Sequence, residues 1–407
     1  MLSVEEATRR VLATVRPLPA EWLALERAAG RVLRENLHAD RDFPPFDRVT
    51  MDGIAVRYAA VAAGQTEFRI ERTQLAGQPP QPLLDAEAAV EIMTGAMLPP
   101  GPDAVVRYED LTWRTDATGQ RWATLHAPPP RPGHNVHARA ADRRQGELLL
   151  PAGCRLGAAE LAVAATVGAA TVAVTRRPRV AVVSTGDELV PIVQTPQPHQ
   201  IRRSNALMLH AAAEAAGAAA EAFHFNDDLA ALRHGLPPLL AEFDAVVLSG
   251  GVSKGQADFL PVVLQELGVE QIFHEVRQRP GKPLWFGQRP GGAVVFALPG
   301  NPVSTFVNFC RYARPWLLAA QHPAGTPPPD AQPMPAVLAT DVTFAPPLTH
   351  FLLVRLDVGP DGRWLAHPAP AGGSGDLASL LHSNGFLELP AEQTHFPAGT
   401  LLPAWRY

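Results

Sequence analysis

Lysine is almost absent from this chain of 407 residues. Only Lys254 and Lys282 occur, although lysine and arginine together number 35, and both lie in glycine-rich turns of one short stretch. An ammonium group is a compact charge on a flexible stem, whereas guanidinium is a planar fork, so these turns point to a site for phosphate or another oxyanion. The alternative is that two lysines survive by chance in an arginine-biased composition.

Cysteine is equally scarce, since Cys154 and Cys310 are the two in the chain and form no Cys-x-x-Cys pair. The sequence therefore indicates neither a disulfide framework nor a structural zinc site, and a reducing cytoplasm is the expected location. A formal net charge of -5 provides no basic field, which argues against nucleic acid as a partner.

Long apolar runs are lacking as well. Residues 1–15 have no basic stretch followed by an apolar core, so we expect no signal peptide. The longest weakly polar run, residues 156–174, contains Glu160 and is too polar for a membrane span. It predicts a buried helix that turns into a strand.

The first part of the chain divides into a helical start and a β-rich insert. Ser3 and Glu6 form a capping box before a stretch of helical period, so the chain is expected to open with an amphipathic helix. A second helix is predicted over residues 21–31. Short β-like runs separated by proline and glycine then predict a β-rich domain over residues 41–142.

Strands and helices alternate from residue 179 onward, which predicts a mostly parallel sheet with helices on both faces. Ligands of such sheets bind at the carboxyl ends of the strands, where the Thr-Gly, Gly-Gly and Pro-Gly turns of this chain occur. Four domains are expected: a discontinuous N-terminal domain of residues 1–40 and 143–176, the insert of residues 41–142, an α/β domain of residues 177–322 and a small β domain of residues 323–407.

The last part of the α/β domain has the features of an anion site. Asn301 is a good N-cap and Pro302 suits the first position of a helix, so free backbone amides would face a ligand there. Gly300 permits a close approach of the backbone, and Lys282 is expected nearby. An ordinary helix start after a turn is the alternative.

Several carboxylates follow predicted strands and are expected at the same rim of the sheet: Glu188 beside Asp187, Asp228 beside Asp227, and Asp258. Acids close to an anion site usually hold a divalent metal, because bare carboxylate and phosphate repel each other. Helix capping is the alternative for Asp228 and Asp258. For Glu188 the functional interpretation is favoured.

Six motifs occur in a fixed order along the chain. They are Phe-Asp-x-x-x-Met-Asp-Gly, Met-Thr-Gly-Ala, Ser-Thr-Gly-Asp-Glu-Leu, Ser-Gly-Gly-Val-Ser-x-Gly with an aspartate three residues beyond, Pro-Gly-Lys-Pro and Leu-Pro-Gly-Asn-Pro-Val-Ser. In this order they resemble the MoeA family of molybdopterin molybdenumtransferases, which includes the gephyrin E domain. The resemblance runs nearly end to end, and six ordered motifs are far more specific than any one glycine turn.

The resemblance implies a multidomain α/β and β fold with a central MogA-like α/β domain, a β-rich inserted domain, an N-terminal helical or linker domain and a small C-terminal β domain. The N-terminal domain would mediate formation of a homodimer, and the α/β domain would bind molybdopterin. The implied activity is that of a transferase of molybdenum cofactor biosynthesis, which inserts molybdate into adenylylated molybdopterin with release of AMP and uses Mg²⁺.

Two other functions stay open at this point. One is a non-catalytic protein, a divergent paralogue, that holds molybdopterin or the finished molybdenum cofactor. The other is an adenylyltransferase acting on molybdopterin, against which the three accompanying domains argue.

The resemblance also assigns roles to residues, motif by motif. Mg²⁺ would be held by Glu188, Asp228 and Asp258. The catalytic residues would be Asp52, Thr94, Asp142, Glu188, Asp258 and Lys282. Molybdopterin would be bound by Thr185, Gly186, Ser249, Gly250, Gly251, Ser253, Arg279, Gly281, Pro299, Gly300, Asn301, Pro302 and Ser374.

This chain also departs from the family pattern in ways that change the charge of the predicted site. An acidic residue before Ser-Asn is replaced by Arg203, and the Arg-x-x-Gly-Glu-Asp signature keeps only its final acid, Asp142. The site is therefore expected to attract anions more and a divalent metal less. The departures are Val49, Ile54, His137, Ala140, Ala141, Arg203, Lys254 and Arg279.

Overall fold

The computed structural model describes residues 1–251, 259–323, 327–370 and 372–407. These residues divide into two compact units. The larger unit consists of Met1–Glu35, Ala152–Gly157 and Thr171–Tyr407, and the smaller unit of Asn36–Pro151 and Ala158–Ala170. Three residues singled out from the sequence, Ser253, Lys254 and Asp258, lie outside the described residues.

The larger unit contains a six-stranded sheet. Its first four strands are parallel to one another, as predicted, and each of the last two pairs antiparallel with the strand before it. Successive side chains of a strand belong to two different apolar cores. In Arg179–Thr185, Val180 and Val182 belong to one core, and Ala181 and Val183 belong to the other. Because both faces are covered, the inner strands such as Ala245–Ser249 and Val294–Leu298 are almost entirely apolar and buried. In spatial order the strands are Ala219–Phe225, Arg179–Thr185, Ala245–Ser249, Val294–Leu298, Trp285–Gln288 and Glu270–His274.

Helices cover both faces of this sheet. The helix Leu229–Glu242 runs through Pro237 and Pro238 without a break. The last helical stretch continues from Pro302–Asn308 through a π-helical turn, Phe309–Ala313, into Arg314–Gln321. The other helices of the sheet are Ser204–Ala215 and Leu260–Glu266.

The N-terminal helix Val4–Leu12 begins at Ser3, whose Oγ accepts a hydrogen bond of 3.2 Å from the backbone N–H of Glu6. The second helix predicted over residues 21–31 is wrong. Ala20–Ala24 is a strand, paired antiparallel with Thr171–Thr175, and a short 3₁₀ helix, Leu25–Arg27, follows it. A partner strand about 150 residues further along the chain overrides the local helical preference.

The small C-terminal β domain predicted from the sequence is a sheet closed on itself. Thr349–Val358 pairs with both Trp364–Pro368 and Gly385–Leu389, so five strands complete a ring around a core that includes Leu356 and Phe396. The short strand Gln278–Arg279 pairs in parallel with the first two residues of Thr349–Val358. In order around the ring the five strands are Thr349–Val358, Trp364–Pro368, Met334–Leu338, Leu401–Arg406 and Gly385–Leu389.

The smaller unit is β-rich, as predicted, with a six-stranded sheet and two helices, Tyr58–Ala62 and Ala158–Thr166. The helix Ala158–Thr166 was expected to be buried, but it buries Ala164 alone, so this prediction is wrong. In spatial order the strands are Ala104–Arg107, Gly53–Val56, Ala89–Ile92, Glu67–Gln74, Arg121–Leu125 and Leu111–Thr115.

Short elements complete the fold. The two-stranded pairs are Arg48–Val49 with Val136–His137, Leu37–His38 with Leu148–Leu150, Leu189–Val190 with Ile201–Arg202, and Val342–Thr343 with His395–Phe396. Further 3₁₀ helices are Tyr108–Asp110, Pro329–Ala331 and Leu377–His382. Along the described ranges, no helix is both long and apolar enough to cross a membrane.

Candidate functional site

Glycine and proline turns follow three neighbouring parallel strands of the larger unit, where the sequence predicts them. Gly250 has a φ of +106°, and a Cβ at this position would lie 3.0 Å from the hydroxyl and the carbonyl of Thr185. A side chain there would therefore have to push the strand ending at Thr185 aside. Glycine lets the turn pack directly against that strand.

A cavity of about 490 Å³ opens at these strand ends. We call it the strand-end cavity. Asn205 holds two of its turns together, because its Nδ2 donates hydrogen bonds of 2.9 Å to Ser249 Oγ and 2.8 Å to the carbonyl of Gly300. The predicted site residues that line it are Thr185, Glu188, Ser249, Gly250, Gly300 and Pro302, and the arginines are Arg202 and Arg203.

Acidic groups gather beside this cavity. Burial raises the pKa of Asp227, and the nearby negative charges of Glu188 and Asp187 contribute to the rise. The Thr185 hydroxyl lies beside Asp227 and lowers its pKa in part, but it forms no well-aligned hydrogen bond with any described residue. Thr185 is only 4 % exposed, so its hydroxyl is an unpartnered polar group held at the edge of the cavity.

Asp228 has a structural task. Its side chain accepts a hydrogen bond of 2.9 Å from the backbone N–H of Ala231 and so caps the helix Leu229–Glu242. This is the alternative that the sequence left open for Asp228. Its neighbour Asp227, to which no role was assigned from the sequence, is the residue grouped with Glu188.

One changed residue, Arg203, contributes positive charge to the strand-end cavity and affects the neighbouring His224. Burial lowers the pKa of His224, and the charge of Arg203 lowers it further. The Nε of Arg203 is buried without a hydrogen-bond partner among the described residues. The arginine that replaces the family's acid therefore lies at this site with an unused donor.

A second cavity, of about 700 Å³, lies in the same unit and is lined by Lys282. We call it the Lys282 cavity. Its cations are Arg279 and Lys282, and Arg279 is the strand partner of His350. Residues of the C-terminal domain also line it, among them Phe344 and His350, whose rings stack at 4.1 Å between centroids and 19° between planes. Burial lowers the pKa of His350 to about 4, assisted by the charge of Arg279, so this ring is neutral at pH 7.

The turn that follows strand Val294–Leu298 separates the two cavities. Pro299 and Asn301 line the Lys282 cavity, and Gly300 and Pro302 line the strand-end cavity. The single crevice that the sequence predicts around Lys282 and Glu188 is therefore a pair of adjoining cavities. Gly281 and Ser374 belong to the Lys282 cavity, whereas Gly186 and Gly251 lie in the turns at the strand ends.

Asn301 precedes the helix Pro302–Asn308 as predicted, but its side chain makes no capping hydrogen bond. Instead its Nδ2 donates to Ser374 Oγ at 2.9 Å, and the carbonyl of Ser374 accepts from the backbone N–H of Val303 at 3.1 Å. One of the amides predicted to be free for a ligand is therefore bonded to the loop that contains Ser374.

The smaller unit brings two predicted catalytic residues together. Asp52 Oδ1 accepts a hydrogen bond of 2.6 Å from the backbone N–H of Thr94, which lowers the pKa of Asp52, and both residues are exposed. Asp142 pairs with His137 Nε2 at 2.9 Å and lines a separate cavity of about 400 Å³. The mutual contact of Asp52 and Thr94 agrees with a shared role.

Two departures in the smaller unit are packing residues. Val49 is 1 % exposed and Ile54 is fully buried, each in an apolar cluster of this unit. These two departures therefore contribute to the apolar core of the smaller unit.

Metal-ligand sets are sparse in the described part of the chain. Among residues 1–251, 259–323, 327–370 and 372–407, no three His, Cys, Asp or Glu side chains form a group that could hold a metal ion. Asp258, the third predicted ligand, lies outside these ranges. Any divalent cation would therefore depend on one or two of the described carboxylates and on oxygens from elsewhere.

A mostly parallel sheet with glycine turns at its strand ends, next to a cationic cavity closed by a β domain, defines a multidomain α/β ligand-binding protein. Three family models match consecutive parts of the chain: the MoeA N-terminal region (domain I and II) at residues 2–168, a probable molybdopterin binding domain at residues 181–319, and the MoeA C-terminal region (domain IV) at residues 335–406. The chain belongs to the MoeA family, which confirms the resemblance seen in the sequence.

Individual relatives agree with this assignment. The chain is 37% identical to a molybdopterin molybdenumtransferase of Synechocystis over 97% of its own length and 99% of the relative's, and 33% identical to one of Bacillus subtilis over 98% and 92%. A crystal structure of a molybdopterin biosynthesis MoeA protein from Pyrococcus horikoshii covers 100% of this chain and 99% of its own, with a TM-score of 0.82 and 32% identity. The expected fold class is confirmed.

Proposed function

We propose that this chain is a molybdopterin molybdenumtransferase, which inserts molybdate into adenylylated molybdopterin and releases AMP. The observation that carries the proposal is the Lys282 cavity. Its cations suit phosphate and molybdate oxygens, and the stacked rings of Phe344 and His350 that also line it suit a flat pterin. Relatives at 31–37% identity over nearly the whole chain carry this enzyme name.

The residues of this chain bind and orient the substrates and form no covalent bond with them. Lys282 and Arg279 would hold oxyanions by charge-assisted hydrogen bonds, and the neutral His350, the strand partner of Arg279, adds no further charge beside them. The dithiolene sulfurs of the pterin replace oxygen ligands of molybdate, which leave as water with the thiol protons. The phosphoanhydride bond breaks as a water oxygen bonds to phosphorus, and AMP leaves. No nucleophile from the protein is required.

The strand-end cavity suits the magnesium ion that the family resemblance implies. Mg²⁺ binds through one or two carboxylates and otherwise keeps water and phosphate oxygens, so it does not need three protein acids. Glu188 and Asp227 would supply the carboxylates, and the unpartnered hydroxyl of Thr185 is an additional oxygen donor. When bound, the ion would neutralise charge on the phosphoanhydride. In this proposal Asp227 replaces Asp228, whose side chain caps a helix.

The remaining expectations stay proposals. Asp52, Thr94 and Asp142 are proposed to act from a second copy of the chain in a homodimer, and the hydrogen bond between Asp52 and Thr94 supports their joint assignment. The division into four domains and the cytoplasmic location stay predictions. Native mass spectrometry of the purified protein tests the dimer, and a monomer at micromolar concentration would contradict it.

An AMP-release assay tests the enzymatic proposal. Purified protein with adenylylated molybdopterin, molybdate and magnesium is expected to release AMP, and release should stop when molybdate or protein is omitted. Tight binding of the pterin without any AMP would support the non-catalytic alternative. Consumption of ATP with free molybdopterin would support the adenylyltransferase.

A further inference from the structure

Three buried polar side chains lie directly behind the turn that contains Lys282. Gln278 and Asn308 are fully buried and Tyr312 is 1 % exposed. Burying such groups costs free energy unless each one finds a hydrogen-bond partner. Their partners therefore show what this arrangement holds in place.

The three side chains bond to one another and to the turn. Tyr312 donates its hydroxyl proton to Gln278 Oε1 at 2.5 Å, and Gln278 Nε2 donates to Asn308 Oδ1 at 2.6 Å. Asn308 Nδ2 and Gln278 Nε2 each donate to the carbonyl of Gly281 at 3.1 Å. The network thus ends on the backbone carbonyl that immediately precedes Lys282.

Gly281 fits this network closely. Its φ is +83°, and a Cβ added to it would lie 2.5 Å from Asn308 Nδ2. A residue with a side chain would be strained and would also clash with Asn308. The turn therefore rests against the Asn308 side chain, and the position of that side chain fixes the start of Lys282.

The same helical face also holds the turn between the two cavities. Thr305 lies one helical turn before Asn308 and is fully buried. Its hydroxyl bonds to the carbonyl of Pro299 and, at 3.0 Å, to the carbonyl of Asn301. Residues three apart on a helix share a face, so Thr305 and Asn308 set the two turns of the Lys282 cavity relative to each other.

We propose that Asn308 is a positioning residue, which holds the Gly281 carbonyl and thereby the Lys282 ammonium in the geometry that the reaction needs. The role in turnover rests on the proposed function. The network is satisfied throughout, and apolar residues of similar shape could fill the same space with little loss of stability. A buried polar network at this position is therefore explained by placement of the turn rather than by stability alone.

The test compares three variants of the full chain. Asn308→Ala removes both hydrogen bonds. Asn308→Asp keeps the shape and the acceptor for Gln278 but places a carboxylate oxygen against the Gly281 carbonyl. Gln321→Leu is the matched control, since Gln321 is a glutamine of the same continuous helical stretch, is 4 % exposed and donates to the carbonyls of Ala216 and Leu317 at 2.8 and 3.0 Å.

Both Asn308 variants are expected to lower kcat/KM for AMP release about 10- to 100-fold, as loss of a supporting hydrogen bond or a shift of about 1 Å at an active site does. Gln321→Leu is expected to lower the melting temperature by about as much as the Asn308 variants do, but to keep the kcat/KM of the wild type. All rates are measured well below the lowest melting temperature.

Hydrogen–deuterium exchange gives a readout that does not depend on activity. The backbone N–H groups of Val276 and Leu284 both bond to the carbonyl of Lys282, at 3.0 and 2.9 Å, so they report on this turn. Their exchange is expected to be faster in both Asn308 variants and unchanged in Gln321→Leu. Unchanged exchange at these amides in Asn308→Ala overturns the proposal.

The outcomes separate the two proposals. If the wild-type protein releases no AMP, the proposed function fails, and exchange alone decides whether Asn308 places the turn. If the wild type is active and both Asn308 variants keep its kcat/KM, or if Gln321→Leu loses as much as they do, Asn308 is a structural residue and the positioning role is wrong.

Discussion

The two cavities of the larger unit differ in how their polar walls are supported. In the Lys282 cavity, the turn that bears the cation is held from behind by a buried network in which Gln278 and Asn308 are fully hydrogen-bonded. In the strand-end cavity, the Thr185 hydroxyl and the Arg203 Nε are buried without partners in the described part of the chain.

This difference indicates two kinds of binding surface. Satisfied buried groups fix one geometry, so the turn that bears Lys282 is positioned before a ligand arrives. In the same cavity, His350 Nδ1 is buried without a partner among the described residues. Unsatisfied buried groups are rare and costly in native proteins, so those at the strand ends indicate a ligand that completes their hydrogen bonds. Substitutions in either cavity therefore test this contrast.

The largest effect is expected from Lys282→Met, which keeps a long stem and removes the charge from the preformed cavity. Loss of one preorganised charge at a reacting phosphate or molybdate should lower kcat/KM for AMP release by about 10²- to 10³-fold. Arg277→Met is the control, because Arg277 is an exposed cation that pairs with Glu392 at 2.8 Å outside the cavity. Equal activity of the two variants would refute a special role for Lys282.

A smaller effect is expected from the two neighbouring acids at the strand-end cavity, and it should differ between them. Asp227→Ala should lower kcat/KM about 10- to 100-fold and raise the magnesium concentration that gives half-maximal AMP release, because it removes a metal carboxylate. Asp228→Ala should leave the magnesium dependence unchanged and cost about 1 kcal/mol of stability through loss of the helix cap. Titration of magnesium and thermal unfolding of both variants are the measurements.

The reverse result for this pair would be informative. If Asp228→Ala changes the magnesium dependence and Asp227→Ala does not, the assignment based on the family pattern is right. The contrast between a capping and a metal-binding acid would then have to be abandoned.

Local sequence signals were sufficient for the parallel strands and their turns. Runs such as Val180–Val183 are apolar on both faces because both are covered, and glycine and proline mark the turns because few other residues allow those backbone conformations. The strand Ala20–Ala24 could not be predicted in this way, since its β structure depends on a partner at Thr171–Thr175.

The same distinction applies to the candidate site, where the sequence predicts individual residues but not the long-range contacts between them. The motifs identify Glu188, Lys282 and Asn301, but the bond from Asn301 to Ser374 spans 73 residues and depends on how two domains pack. Asp227 and Asp228 are adjacent and chemically identical, so the sequence alone could not decide between them. The end of strand Ala219–Phe225 and the start of the next helix decide which one is the cap.

The smallest effect is expected at His350 of the Lys282 cavity and concerns pH. The pKa of His350 is lowered to about 4, chiefly by burial, against an ordinary value of 6.5. Between these two values the unfolded chain binds a proton that the folded chain does not, so this residue destabilises the fold as pH falls from about 6.5 towards 4.

His350→Phe keeps a ring to stack on Phe344 and removes this proton-linked loss. The melting temperature of the variant is therefore expected to fall less than that of the wild type between pH 7 and pH 4.5, by about 2–4 °C. His395→Phe, a change at an exposed histidine of the same domain, should follow the wild type. If His350→Phe and the wild type show the same pH dependence, the pKa of His350 is not lowered in the folded protein, and this residue of the Lys282 cavity gains charge as pH falls below about 6.5.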